Sequence, residues 1–449
     1  MKTIQKPDKR SRFRCSWHHL LMLIASMIIA SMTFTACDGD DPANEDDNGG
    51  NGGNGGNGGN GGNGNGKVWV DKKGGSTQTF ANLDAAFMPI MQGGPGEYTV
   101  RIGENQHITS RYNNFIQEGQ IITIKAESGT VEITRDSELL NHFSVAYESI
   151  LIIDKGITLK GSGDEEWSDY GITVDGKGKL IMNDGAKMTN FGGTAVMITR
   201  EGIFEMNGGT ICDNISLGVE TDDELGGGVF IMNGGTISDN GFNSGSGTCG
   251  VHIGDGTFTM NDGTISGNAD GGVGMYNGTF TMKKGRIINN LCGANGSGVW
   301  LTGGTFIMEG GEISGNQAVD GGGVSTVSAF IMNGGTITKN TARDIGGGVF
   351  VAGDESIFTM NGGTITGNTS ERYGGGGVGL YSSATFIKNA NGIIYGFDSG
   401  ANANKANNDF GHAAIVMSVG NGDLKRDLTI GEGDVIRWGS GTPVGWDNM

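Results

Sequence analysis

Cysteine and positive charge are both scarce in this chain, and each scarcity removes a class of function. Only 5 cysteines occur in 449 residues. No Cys-x-x-Cys pair and no Cys/His spacing suited to a metal is present, so no metal site is expected. Beyond residue 37 only Cys212, Cys249 and Cys292 remain, enough for at most one disulfide. They read as small packing residues. Lysine and arginine number 30 against 49 aspartate and glutamate, a net charge of −19. Without the basic residues and Asp8 of positions 1–36, the remainder carries 24 basic and 48 acidic residues, a net of −24. A chain of that sign is a poor partner for nucleic acid or an anionic membrane surface. Its acidity reads as a solubilising surface, and no cofactor is expected.

Long apolar runs are equally few. The run Leu20–Ala36 follows a basic stretch, Lys2 to Arg14, and is too short for a good transmembrane helix. Residues 1–36 therefore read as a targeting segment. Asn48–Gly66 is almost pure glycine and asparagine, with nothing to bury. As a random coil, residues 37–66 would span about 30 Å on average.

What the chain has in abundance is a repeat. Eight blocks of eleven residues follow the form Φ-x-Met-Asn-x-Gly-x-Ile-x-x-Asn, anchored by methionines from Met182 to Met360. Glycine stands three residues after each methionine (Gly185 to Gly363), and asparagine eight after it (Asn190 to Asn368). Two residues before it stands Leu180 and then seven phenylalanines, Phe204 to Phe358. Repeats of this size mean one supersecondary unit stacked many times. In Phe230-Ile231-Met232, period-2 alternation puts Phe and Met on one face and Ile on the other. Asn233-Gly234-Gly235 is a turn, and Thr236-Ile237-Ser238 is a second short strand. A third strand signal lies between blocks: Gly227-Gly228-Val229, Gly272-Val273, Gly322-Gly323-Val324, Gly347-Gly348-Val349 and Gly376-Gly377-Val378.

Three short strands and three turns per rung give an all-β, right-handed parallel β-helix. Phe, Met and Ile fill its lumen, and the asparagines form a ladder of side-chain amides. The expected organisation is a signal segment at 1–36, a tether at 37–66, a cap and irregular early rungs at 67–170, regular rungs at 171–392, and C-terminal rungs with a cap at 393–449. Within the early rungs, Phe80–Phe87 has helical spacing and predicts a short cap helix.

These features resemble the right-handed parallel β-helix repeat lipoproteins of bacterial surfaces, within the pectin-lyase-like superfold. The likeness spans Val68 to Ile436. It rests on the Met-Asn-Gly-Gly-Thr-Ile blocks, the Gly-Gly-Gly-Val strands, and the closing Gly411–Val416 with Lys425-Arg426-Asp427. Phe34-Thr35-Ala36-Cys37 resembles a lipoprotein signal, which implies lipidation of Cys37. Asp38, Asp40 and Asp41 resemble the export tag of surface lipoproteins in the Bacteroidota. The resemblance implies an outer-membrane protein exposed at the cell surface, in contact with the membrane only through its lipid. It implies no defined chemistry.

Three functions compete. An enzyme of this superfold needs clustered carboxylates. The candidates Asp222, Asp223, Glu224, Asp270, Asp320 and Asp344 skip rungs, Arg343 and Arg372 are the bases nearby, and no catalytic motif matches. No catalytic residue is assigned. A passive scaffold is the second possibility. The third, a recognition or adhesion module for glycans or surface ligands, is favoured. If each Val of the third strand points inward, Trp300 and Phe350 point outward, as do Tyr276 and Tyr381 three residues after their Val. Ser325 stands between Trp300 and Phe350. Aromatics along an elongated face can stack on sugar rings. The module is expected to be a monomer.

Overall fold

In the computed structural model, residues 67–110, 115–163, 169–222, 226–241, 248–381, 384–389, 391–395, 397–406 and 414–417 are described. Cys37, the tether, Asp223, Glu224, Gly411–Ala413 and Lys425-Arg426-Asp427 lie outside them. The described chain is a parallel β-solenoid of about 11 turns. Three long sheets form its sides, of 14, 12 and 12 strands, and a fourth of four strands is added towards the C-terminal rungs.

Each sheet follows from one pattern in the repeat. Strands such as Thr305–Met308 form the first, with Phe306 and Met308 fully buried and Thr305 and Ile307 on the outside. Strands such as Thr336–Thr338 form the second and send one isoleucine inward. Strands such as Val324–Thr326 form the third, with Val324 in the lumen. Register is invariant: Phe306 pairs with Phe330, Ile313 with Ile337, and Val299 with Val324. A slip of one residue would turn the lumen side chains outward, so burial fixes the register.

The phenylalanines stack as one column. From Phe204 to Phe386 successive ring centroids lie 4.6–5.0 Å apart with interplanar angles of 4–12°. The asparagines form a second column. Asn316 is fully buried; its Nδ2 donates to Asn340 Oδ1 (2.9 Å) and to the Ile287 carbonyl (3.0 Å). Its backbone N–H donates to the same Oδ1 (3.0 Å). This pattern runs from Asn214 to Asn404. Asn190 is not part of it. It has φ 63°, its amide turns to the Gly161 carbonyl, and the Phe191 N–H takes its place on Asn214 Oδ1. Asn404, outside the repeat blocks, supplies the last rung instead.

Two further expectations are corrected, and one feature is added. Gly227-Gly228-Val229 does not belong to the third sheet: Val229 lies in Gly228–Met232 of the first, pairing with Ile203 and Thr257. The third-sheet strand of that turn is Val219–Thr221. Phe80 is not helical but ends the strand Thr77–Phe80; the helix runs Leu83–Gln92, its first turn closed by Asn82 Oδ1 accepting from the Ala85 N–H. Finally, the first strand, Val68–Lys72, runs antiparallel to both its neighbours.

Candidate functional site

Alternation along the third sheet brings out one residue per rung between two lumen residues. In neighbouring rungs these are Glu220, His252, Gly274, Trp300, Ser325 and Phe350. Their fates differ because loops of unequal length pass over them.

At the Trp300 end the column stays open. Tyr276, just past the strand Val273–Met275, is 48 % exposed. Its ring meets Trp300 edge-on at 6.0 Å and 72°, and His252 edge-on at 5.3 Å and 74°. Beneath it lies Gly274, between His252 and Trp300. A Cβ there would sit 3.3 Å from Cys249 Sγ, 3.7 Å from His252 Cδ2 and 3.8 Å from Trp300 Cε3, so the buried glycine lets the thiol and the two rings pack closely around it. One rung before His252, Glu220 approaches it at 3.8 Å (Oε1 to Nδ1) and accepts a hydrogen bond from Thr194 Oγ1 at 2.8 Å. The result is three rings across three rungs, with a carboxylate and a hydroxyl at one end.

At the Phe350 end the column is closed. Phe350 is only 7 % exposed and packs on Ile345 and Ala352. Its expected place among outward, accessible aromatics is therefore corrected. The cause is the fourth sheet, strands Gln317–Asp320, Thr341–Ile345, Thr369–Ser370 and Lys405–Ala406, which the sequence does not announce. The strand Thr341–Ile345 leads into Gly346, whose φ of 71° turns the chain back over Phe350. Ser325 is buried in the same way, at 3 %. Tyr381 is 37 % exposed, but four rungs from Tyr276 it stands about 19 Å away. Of the four aromatic candidates, then, only Tyr276 and Trp300 come together. His252 joins them and was missed; its period-2 position after Val251 marks it as outward.

The carboxylate candidates also divide. Asp320 and Asp344 lie on adjacent strands of the fourth sheet. Asp344 accepts from Arg343 (3.3 Å) and Arg372 (3.2 Å), while Asp320 accepts from the Ile345 N–H (3.2 Å). Burial, then the charge of Asp344, pushes the Asp320 carboxyl up to about 6. Asp270 lies elsewhere, its Oδ1 3.5 Å from Cys292 Sγ. Cys212, Cys249 and Cys292 are buried as thiols, and burial pushes the Cys292 thiol up to about 12. Among the described residues no group of three or more His, Cys, Asp or Glu is placed to hold a metal ion. No helix among them is long and apolar enough to cross a membrane. At the N-terminal rungs, a cleft of about 310 Å³ is lined by Val70, Lys72, Ile90 and Tyr98 among others, with Lys72 already engaged by the Gly93 carbonyl. No family model matches the chain, and no curated protein or solved structure is significantly similar to it.

Proposed function

We propose that this chain is a recognition module of a bacterial cell surface, anchored through a lipid on Cys37 and binding neutral glycans at the His252–Tyr276–Trp300 cluster. The observation that carries this reading is the exposed Tyr276 ring, held edge-on between two other rings. An apolar ring face beside a partly exposed carboxylate suits a sugar, whose C–H face stacks while its hydroxyls donate to Glu220. The cluster sits on stacked strands, so a ligand would not have to order it.

The test is glycan-array binding by the full chain. Trp300→Ala and Tyr276→Ala are each expected to weaken binding by about 1–3 kcal/mol, as loss of a stacking platform does. Absence of binding to any neutral glycan, or binding that both variants keep, would overturn the site. Metabolic acyl labelling that is lost in Cys37→Ala supports the anchor; a wild type without label removes it.

A further inference from the structure

We propose that the outer face of the first sheet is a self-association surface, and that its occupant is the same face of a second copy of this chain. This goes beyond the glycan reading and uses a different side of the solenoid. The face is two columns wide: the residue before each lumen phenylalanine, or its equivalent, and the residue after it. It runs in unbroken parallel register from Ile121 and Thr123 to Thr385 and Ile387. Every position in it is aliphatic or threonine except Lys179 and Glu205, and these two pair with each other at 2.7 Å. The side chains are partly or fully exposed, Ile357 at 42 %. A continuous surface of this extent whose two charges neutralise each other marks an interaction site.

Three observations choose a second copy as the occupant. The first is size. Eleven strands at about 4.8 Å span roughly 48 Å, and a four- to five-residue width at about 3.3 Å per residue adds roughly 15 Å. The footprint of roughly 700 Å², before side-chain relief is counted, is close to the ~800 Å² per partner of a stable interface. The second is regularity. Successive phenylalanine rings behind the face stay within 4–12° of parallel, so the side-chain columns repeat from rung to rung. A face so regular can meet its own copy rung by rung along its length. The third is charge. Each copy carries a net −19, so two copies repel. This face brings no uncompensated charge into the contact. Along one edge an exposed asparagine ladder, with Asn261 Nδ2 donating to Asn233 Oδ1 at 2.8 Å, supplies the polar rim such interfaces have. This assignment departs from the monomer expected from the sequence.

Sedimentation velocity of the full chain in non-ionic detergent tests it, with Ile307→Lys/Ile331→Lys as the disrupting pair. Thr336→Lys/Thr364→Lys, cross-strand neighbours on the second sheet, is the matched control. The wild type and the control are expected to dimerise at micromolar concentration. The disrupting pair, which sets like charges against each other in a dry contact, is expected to associate roughly a hundredfold or more weakly. Unchanged far-UV circular dichroism establishes that the variants fold; should the isoleucine pair not fold, Thr281→Lys, on the same face, replaces it. A wild type that stays monomeric, or equal dissociation of both pairs, overturns the proposal. If that monomer instead pellets with an insoluble neutral polysaccharide and Ile307→Lys/Ile331→Lys abolishes this, the face belongs to a sugar surface and the self-association reading is equally overturned.

Discussion

At the scale of the residue, a phenylalanine in this chain has two fates. Phe306 points inward, is fully buried, and has rings 4.7 and 4.8 Å away on either side. Nothing can collapse into the gap its removal leaves, because the neighbouring rungs are held apart by backbone hydrogen bonds. Phe306→Ala is therefore expected to cost about 3–5 kcal/mol. Phe350 points outward and owes its burial to one strand of the fourth sheet. Phe350→Ala forfeits its packing on Ile345, worth about 1.5–3 kcal/mol, and the loop can close over the space. Trp300→Ala, on an open part of the same column, is expected to cost less than either. Denaturant unfolding of the three variants should give that order, and a Trp300 loss equal to that of Phe306 would place Trp300 in the core. The direction of all three side chains is legible from period-2 alternation. The cover over Phe350 is not, because the strands that make it lie in stretches of unequal length with no repeated apolar pattern.

At the scale of the element, the repeat columns were legible in outline and richer in fact. The glycine three after each methionine reads as a turn residue, and at Gly311 the φ of 86° requires that. The structure adds a second reason, since a Cβ there would stand 2.6 Å from the methyl of Met282 in the previous rung. No single block contains that contact, so no single block reveals it. Gly227-Gly228-Val229 misleads for the opposite reason: it copies the third-strand signal, but its valine is followed at once by the repeat block Phe230-Ile231-Met232-Asn233-Gly234-Gly235, which claims the strand for the first sheet. The asparagine column is the clearest case of residue identity making an element. Asn316 Oδ1 accepts from both the backbone N–H and the Nδ2 of Asn290, each at 2.9 Å, while its own amide holds the Ile287 carbonyl. Asn316→Ala leaves these three groups buried and without that partner, at about 1–3 kcal/mol each. A loss of at least about 3 kcal/mol in denaturant unfolding is expected, comparable to a lumen phenylalanine. A loss below about 1 kcal/mol would mean that water replaces the ladder at no cost.

At the scale of the whole molecule, stability should depend on pH through a buried and a half-buried group of opposite sign. His142 is fully buried, and its Nε2 hydrogen-bonds to the Ile133 carbonyl at 3.0 Å. Burial, then the charge of Arg135, lowers it from 6.5 to about 3. Between those values the unfolded chain binds a proton that the folded chain refuses. The stability tied to neutral His142 is thus complete above about pH 6.5 and falls as pH drops towards 3, with a slope of up to about 1.4 kcal/mol per pH unit. Asp320 works the other way. Its carboxyl is raised from 3.8 to about 6, so the folded chain keeps a proton that the unfolded chain releases. Its contribution is complete below pH 3.8 and is lost as pH rises through 6. Over the shared window, about pH 4 to 6, the two slopes oppose each other, and a shallow dependence is expected for the wild type. Asp320→Asn removes only the second. The variant should therefore gain stability relative to the wild type as pH rises from about 4 to 6, with the difference levelling off above that. Urea midpoints measured at several pH values across the window decide the matter. Parallel curves for wild type and Asp320→Asn would show that Asp320 stays ionised in the fold, and that Arg343 and Arg372 neutralise it together with Asp344.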